Sequence, residues 1–147
     1  MSNTSTILIV EDNDDDYEAC VVALTQDHNL ANPLHRCVTG DDALDYLMGR
    51  GTHAEPRPDA PSLILLDLNL PGIDGREVLA QIKTDDALKV IPVVVMTTSR
   101  DENDIQDCYR AGANSYVLKP VDMNGFFEAI AKMRDYWFQI SILPKAK

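Results

Sequence analysis

Leu63-Ile64-Leu65-Leu66-Asp67-Leu68-Asn69-Leu70-Pro71-Gly72 is an aliphatic run that ends abruptly in a carboxylate and then in a Pro-Gly turn. Four consecutive aliphatics are too few for a stable helix, but they suit a strand buried on both faces of a parallel sheet. Asp67 then stands where the strand runs out. In open α/β sheets the carboxyl ends of the strands form the crevice in which ligands bind. An ionised carboxylate beside a dry core is costly unless it is paired or metal-bound, so Asp67 needs partners.

The same pattern recurs along the chain. Ile7-Leu8-Ile9-Val10 is a short β-branched run ending in Glu11-Asp12. From about Asp14 to Thr25 the spacing turns helical, with Tyr17, Cys20, Val21 and Leu24 on one face. Asp14, Asp15 and Asp16 fall in its first turn, where negative charge suits the helix dipole; they read as a solvated helix start, with only the Glu11-Asp12 pair able to reach a site. Leu34 to Val38 is a short strand, and Gly40-Asp41 opens a second helix. Residues 49–61 read as an exposed loop, long for a compact domain. Val78, Leu79 and Ile82 mark a third helix. Pro92 to Met96 is a strand ending in the hydroxyls Thr97, Thr98 and Ser99, with Thr97 in register directly after it. A fourth helix runs from about Arg100 to Ala111 and stops at Gly112. Ser115 to Leu118 is the last strand, ending at Lys119-Pro120, and the last helix begins near Met123. Five strands alternating with five helices predict a parallel sheet with helices on both faces.

Length and composition fit one domain spanning residues 1–147, with a core of about 5–140 and an extended last helix and tail over 136–147. A net charge of −11 argues against nucleic-acid phosphates and against anionic membranes as partners. No run reaches transmembrane length and no basic-then-apolar leader is present, so a cytoplasmic protein is expected. Cys20, Cys37 and Cys108 show no ligand spacing and read as small buried hydrophobes. His28, His35 and His53 likewise show no metal spacing.

In a doubly wound sheet the strand ends lie side by side, so Glu11, Asp12, Asp67, Thr97 and Lys119 converge on one edge. Carboxylates a few ångströms apart raise one another's pKa and call for compensation. Oxygen-only ligands open to water suit Mg²⁺ better than zinc. Three carboxylates against Mg²⁺ and Lys119 balance in charge and leave room for an incoming phosphoryl dianion. Asp67, alone on the central strand, is the candidate nucleophile, because carboxylates accept phosphoryl groups as acyl phosphates. Thr97 can donate its hydroxyl to a phosphate oxygen.

Val10-Glu11-Asp12, Leu66-Asp67-Leu68-Asn69-Leu70-Pro71, Met96-Thr97-Thr98 and Val117-Leu118-Lys119-Pro120, in this order and spacing, resemble the receiver domain of two-component response regulators. The resemblance covers about residues 5–140 and implies the flavodoxin-like strand order 2-1-3-4-5. It implies that Asp67 is the phosphoacceptor, fed by a phosphohistidine on a sensor histidine kinase. Asp12, Asp67 and the Asn69 main-chain carbonyl would ligate Mg²⁺, with Glu11 acting through water. Thr97 and Lys119 would grip the phosphoryl group, Tyr116 would be the aromatic switch, and Lys119-Pro120 matches a bond that is cis in the family. Glu11-Asp12 departs from the two aspartates of many members. Without the family, Tyr116 reads as a plain core aromatic.

A narrower resemblance rests on the Pro-rich segment 56–61, the run Asp67–Val78 and Tyr136-Trp137-Phe138 followed by Leu143-Pro144. These look like the phytochrome-associated response regulators, which implies a bacteriophytochrome kinase as partner. The apolar excess after Asp135 predicts a homodimer through the face of the fourth helix, fifth strand and last helix. The chain is then expected to be a switch that is its own substrate, with no turnover of an external metabolite. Two other classes compete: a Mg²⁺-dependent phosphatase with an aspartyl nucleophile, and a receiver-like module that binds partners without phosphorylation. The phosphatases usually carry a second Asp two residues after the first as general acid, and Asn69 stands there instead.

Overall fold

The computed structural model describes residues 5–25, 32–119 and 122–140. Its element order is β1 (Ile7–Val10), α1 (Asp14–Thr25), β2 (Leu34–Cys37), α2 (Gly40–Met48), β3 (Leu63–Leu66), α3 (Gly75–Thr84), β4 (Val93–Thr97), α4 (Glu102–Ala111), β5 (Ser115–Leu118) and α5 (Met123–Asp135). The strands form one parallel sheet in the order β2-β1-β3-β4-β5, as the resemblance implies.

The missing polar alternation in β1, β3 and β4 has a direct cause. Leu8, Val10, Ile64, Leu66, Val93 and Val95 face one layer, with Leu44, Leu47, Val78, Leu79, Ile82 and Cys108 from α2, α3 and α4. Ile7, Ile9, Leu63, Leu65, Val94 and Met96 face the other, with Ala19, Cys20, Leu24, Phe126, Ile130 and Trp137 from α1 and α5 and its extension. Each Val, Leu, Ile, Phe or Met side chain among them contributes about 1.5–3 kcal/mol by leaving water, so the two layers together fix the sheet's register. The three cysteines are free and buried within these layers.

The 49–61 segment holds a short 3-10 turn, Gly51–His53, whose imidazole bonds Asp42 at 2.9 Å and packs edge-on to Tyr46. His35 stacks on the same Tyr46 at 4.2 Å between ring centroids. Both histidines are therefore structural. After α5 the chain makes a π-helical turn, Tyr136–Ile140. This turn places Trp137 in the α1–α5 layer with Phe138 against it, while Tyr136 is half exposed. Part of the apolar excess after Asp135 is thus absorbed within the chain itself. The Lys119-Pro120 bond and the stretch Ile142-Leu143-Pro144 lie outside the described residues.

Candidate functional site

Register brings the polar strand ends together. Val10 is paired with Leu66, and the Asp67 N–H donates to the Val10 carbonyl at 3.0 Å, so Glu11 and Asp67 leave the sheet side by side. Thr97 closes β4 opposite Leu118, and the Lys119 N–H donates to the Thr97 carbonyl at 2.8 Å. Gly75 permits the sharp return after Asp67. A Cβ there would collide with the Asp67 carbonyl and lie 2.6 Å from Leu68 Cα, so no other residue fits without displacing the backbone that carries the carboxylate.

The side chains meet at Lys119. Its ammonium donates to Glu11 Oε1 at 2.6 Å, to Asp16 Oδ2 at 2.9 Å and to Asp67 Oδ2 at 3.1 Å. Glu11 is fully buried, and the Lys119 and Asp67 side chains are 8% and 7% exposed. Glu11, Asp12 and Asp67 each offer an oxygen within 4.8 Å of the others, the one such grouping among the described residues, with Asp12 open to solvent. One ammonium serves more anions than it can neutralise. Burial alone would lower the Lys119 pKa, yet hydrogen bonds to Glu11 and Asp16 and the charge of Asp67 hold it above the usual lysine range. Burial raises Glu11 to about 7; its bond to Lys119 opposes the shift and the Asp67 charge adds to it. An all-oxygen cluster short of positive charge fits a hard divalent cation.

A second network stands beside the first. Thr97 is fully buried, and its Oγ1 accepts the Ser99 N–H at 3.3 Å. The Ser99 carbonyl accepts the Tyr116 hydroxyl at 3.0 Å, and Ser99 Oγ donates to Asp104 at 2.7 Å. Arg76 grips Asp104 with two bonds, at 3.0 and 2.7 Å, and reaches Asp74 with a third N–H group. The segment after Thr97 is therefore tied to α3, α4 and β5 at once.

The chain matches the response regulator receiver domain over residues 7–131. It belongs to that family. Response regulator Rcp1 of Synechocystis is 38% identical to this receiver over 141 residues, covering 95% of this chain and 93% of Rcp1. The probable methanogenesis regulatory protein FilR2 of Methanothrix harundinacea is 35% identical, covering 89% of this chain and 82% of FilR2. Among solved structures, the phosphorylated cyanobacterial phytochrome response regulator RcpA superposes with a TM-score of 0.91 at 38% identity, covering 98% of this chain and all of RcpA. The Mn²⁺-bound form of Rcp1 superposes with a TM-score of 0.90 at 36% identity, covering 95% and 99% of the two chains. Among the described residues no helix of this receiver is long and apolar enough to cross a membrane.

One sequence expectation for the receiver's edge needs correction. Asp16 is not simply a solvated helix start, because its carboxylate bonds Lys119. Asp14 turns away to Arg36 at 2.8 Å, and Asp15 is exposed, as expected. The site therefore holds four carboxylates, and the charge balance drawn from three understates its negative charge. A signal was present: Asn13 followed three residues later by an acid reads as a helix cap with a carboxylate aimed at the capped end. Which way that carboxylate turns depends on its neighbours in space. The Arg76–Asp104 pair, 28 residues apart, left no trace in local spacing.

Proposed function

We propose that this receiver is a phosphorylation switch in which Asp67 takes a phosphoryl group from a phosphohistidine of a sensor histidine kinase. The carrying observation is the Lys119 ammonium bonded to Asp67 and Glu11, which with Asp12 make three carboxylates whose oxygens cluster within 4.8 Å. An Asp67 oxygen attacks phosphorus, an acyl phosphate O–P bond forms, the P–N bond breaks and the imidazole departs with its electron pair. Lys119 and the Thr97 hydroxyl donate to the phosphoryl oxygens. The residues that would hold Mg²⁺ are Asp12, Asp67 and the Asn69 carbonyl, with Glu11 through water; the cation would neutralise charge on the transferring group. The Mn²⁺-bound form of Rcp1 and the phosphorylated form of RcpA support this reading.

The switch then runs through Ser99. Movement of Thr97 toward the phosphoryl group draws on the segment that Tyr116 holds by its hydroxyl, so the face made by α4, β5 and α5 changes with it. Hydrolysis of the acyl phosphate by water resets the protein, which turns over no external metabolite. The likeness to RcpA supports a phytochrome-type kinase as donor. Tyr109 of α4, half exposed with its hydroxyl accepting the Tyr116 N–H of β5, supports a homodimer through the α4–β5–α5 face. Sedimentation at tens of micromolar should show the dimer; a monomer in both phosphorylation states removes that part.

Incubation with acetyl phosphate and Mg²⁺ tests the core of the reading. Intact mass should show one added phosphoryl group, dependent on Mg²⁺ and absent in Asp67→Asn. Continuous turnover of a generic phosphate ester would instead indicate the phosphatase class.

A further inference from the structure

A lysine ammonium has three N–H bonds, and in Lys119 all three are taken, by Glu11, Asp16 and Asp67. If Lys119 grips a phosphoryl oxygen, one of these bonds must be given up. Glu11 is fully buried, and releasing it takes the direct charge partner from a carboxylate that bulk water does not reach. Asp67 carries the incoming group. Asp16 differs from both: its side chain is 29% exposed, so water can replace the ammonium there.

The placement of Asp16 is built rather than incidental. Asn13 Oδ1 caps α1 by accepting the Asp16 N–H at 2.9 Å. In a capping box the acid at this position turns back to the N–H of the capping residue. Here Glu11 Oε2 takes that N–H at 3.2 Å, which leaves the Asp16 carboxylate to face Lys119. Glu11, Asn13, Asp16 and Lys119 thus close a ring of hydrogen bonds at the edge of the site.

We propose that Asp16 is a positioning residue for phosphoryl transfer, occupying the Lys119 hydrogen that a phosphoryl oxygen takes and releasing it to that oxygen when the group arrives, with water then solvating the Asp16 carboxylate. This rests on the phosphoacceptor reading of Asp67. Glu11 and Asp67 keep Lys119 in place without the Asp16 charge, so its loss turns a charge-assisted bond into a weaker neutral one that a phosphoryl oxygen displaces more readily, and removes one anion from the path of a dianion.

The test is Asp16→Asn, which keeps the shape and loses the charge. With acetyl phosphate at saturating Mg²⁺, adduct formation on Asp67 should quicken about three- to tenfold. Mg²⁺ affinity should be no tighter than that of the parent protein, because a nearby negative charge is lost. Structural damage would lower both. Asp15→Asn, the same charge change on the exposed side of α1, should stay within about twofold, and Asp16→Glu should return the rate toward the parent value. An Asp16→Asn rate equal to or below the parent's, or an equal gain in Asp15→Asn, overturns the proposal. No adduct in the parent protein overturns the phosphoacceptor reading itself, a separate outcome.

Discussion

Lys119 Nζ lies 2.6 Å from Glu11 Oε1 although 108 positions separate the two residues. The pair spans β1 and β5, across the whole middle of the sheet, and it is closed from solvent on both sides. Such a contact makes Lys119 a fixed donor at the strand ends rather than a mobile surface lysine. It also sets the ammonium in competition with any cation drawn to the same carboxylates.

Lys119→Met separates these two roles. With the competing charge removed, Mg²⁺ should bind more tightly, measured by calorimetry. Phosphoryl uptake from acetyl phosphate should slow on the order of a hundredfold, the usual cost of losing one donor to a charged transition state. Weaker metal binding together with an unchanged uptake rate would contradict this role for the ammonium.

Gly75→Ala should damage both fold and site, since a methyl there meets the Asp67 carbonyl and Leu68 Cα. Overpacking of this kind costs about 2 kcal/mol, read from urea melts. Mg²⁺ affinity should fall in parallel, because the displaced backbone is the one that carries Asp67. A substitution without effect on either measurement would refute the close approach.

Asp104→Asn probes the clasp on the segment after Thr97. The Arg76 guanidinium first, and then the Ser99 hydroxyl, hold the Asp104 carboxyl below the usual carboxylate range. Its folded pKa is depressed, so its contribution to stability is present above the unfolded value of about 3.9 and fades as pH falls through the folded one. Because both partners are partly exposed, the loss at pH 7 should be about 1 kcal/mol. Melts of parent and variant should converge toward pH 2–3; an equal gap at both pH values would contradict the ion pair.

Tyr116→Phe removes the hydroxyl bonded to the Ser99 carbonyl and should cost about 1 kcal/mol in the resting protein. If phosphorylation draws the segment away, the gap between variant and parent should shrink in the phosphorylated state. A gap of constant size would separate Tyr116 from the switch.

Much of this receiver was legible because its strands are buried on both faces. Uninterrupted aliphatic runs such as Leu63–Leu66 mark strands, and the first polar residue after each marks the site edge. That logic found Glu11, Asp67, Thr97 and Lys119 without reference to distance. It missed Asp16 because a helix's rotation about its axis decides whether an acid in the first turn faces solvent or lysine. It missed Arg76–Asp104 because the pair joins neighbouring helices through side-chain reach alone. Trp137 falls at helical spacing with Phe126, Ile130 and Met133, and the π-helical turn after α5 keeps that ring with them in the α1–α5 layer.

The central claim is that one carboxylate, Asp67, becomes the acyl phosphate. After incubation with acetyl phosphate and Mg²⁺, borohydride reduces an aspartyl phosphate to homoserine, which marks the position permanently. Peptide sequencing by mass spectrometry should find homoserine at position 67 and nowhere else, and none without Mg²⁺. Homoserine at Asp12, Asp16 or another aspartate, with position 67 unmodified, would contradict the account.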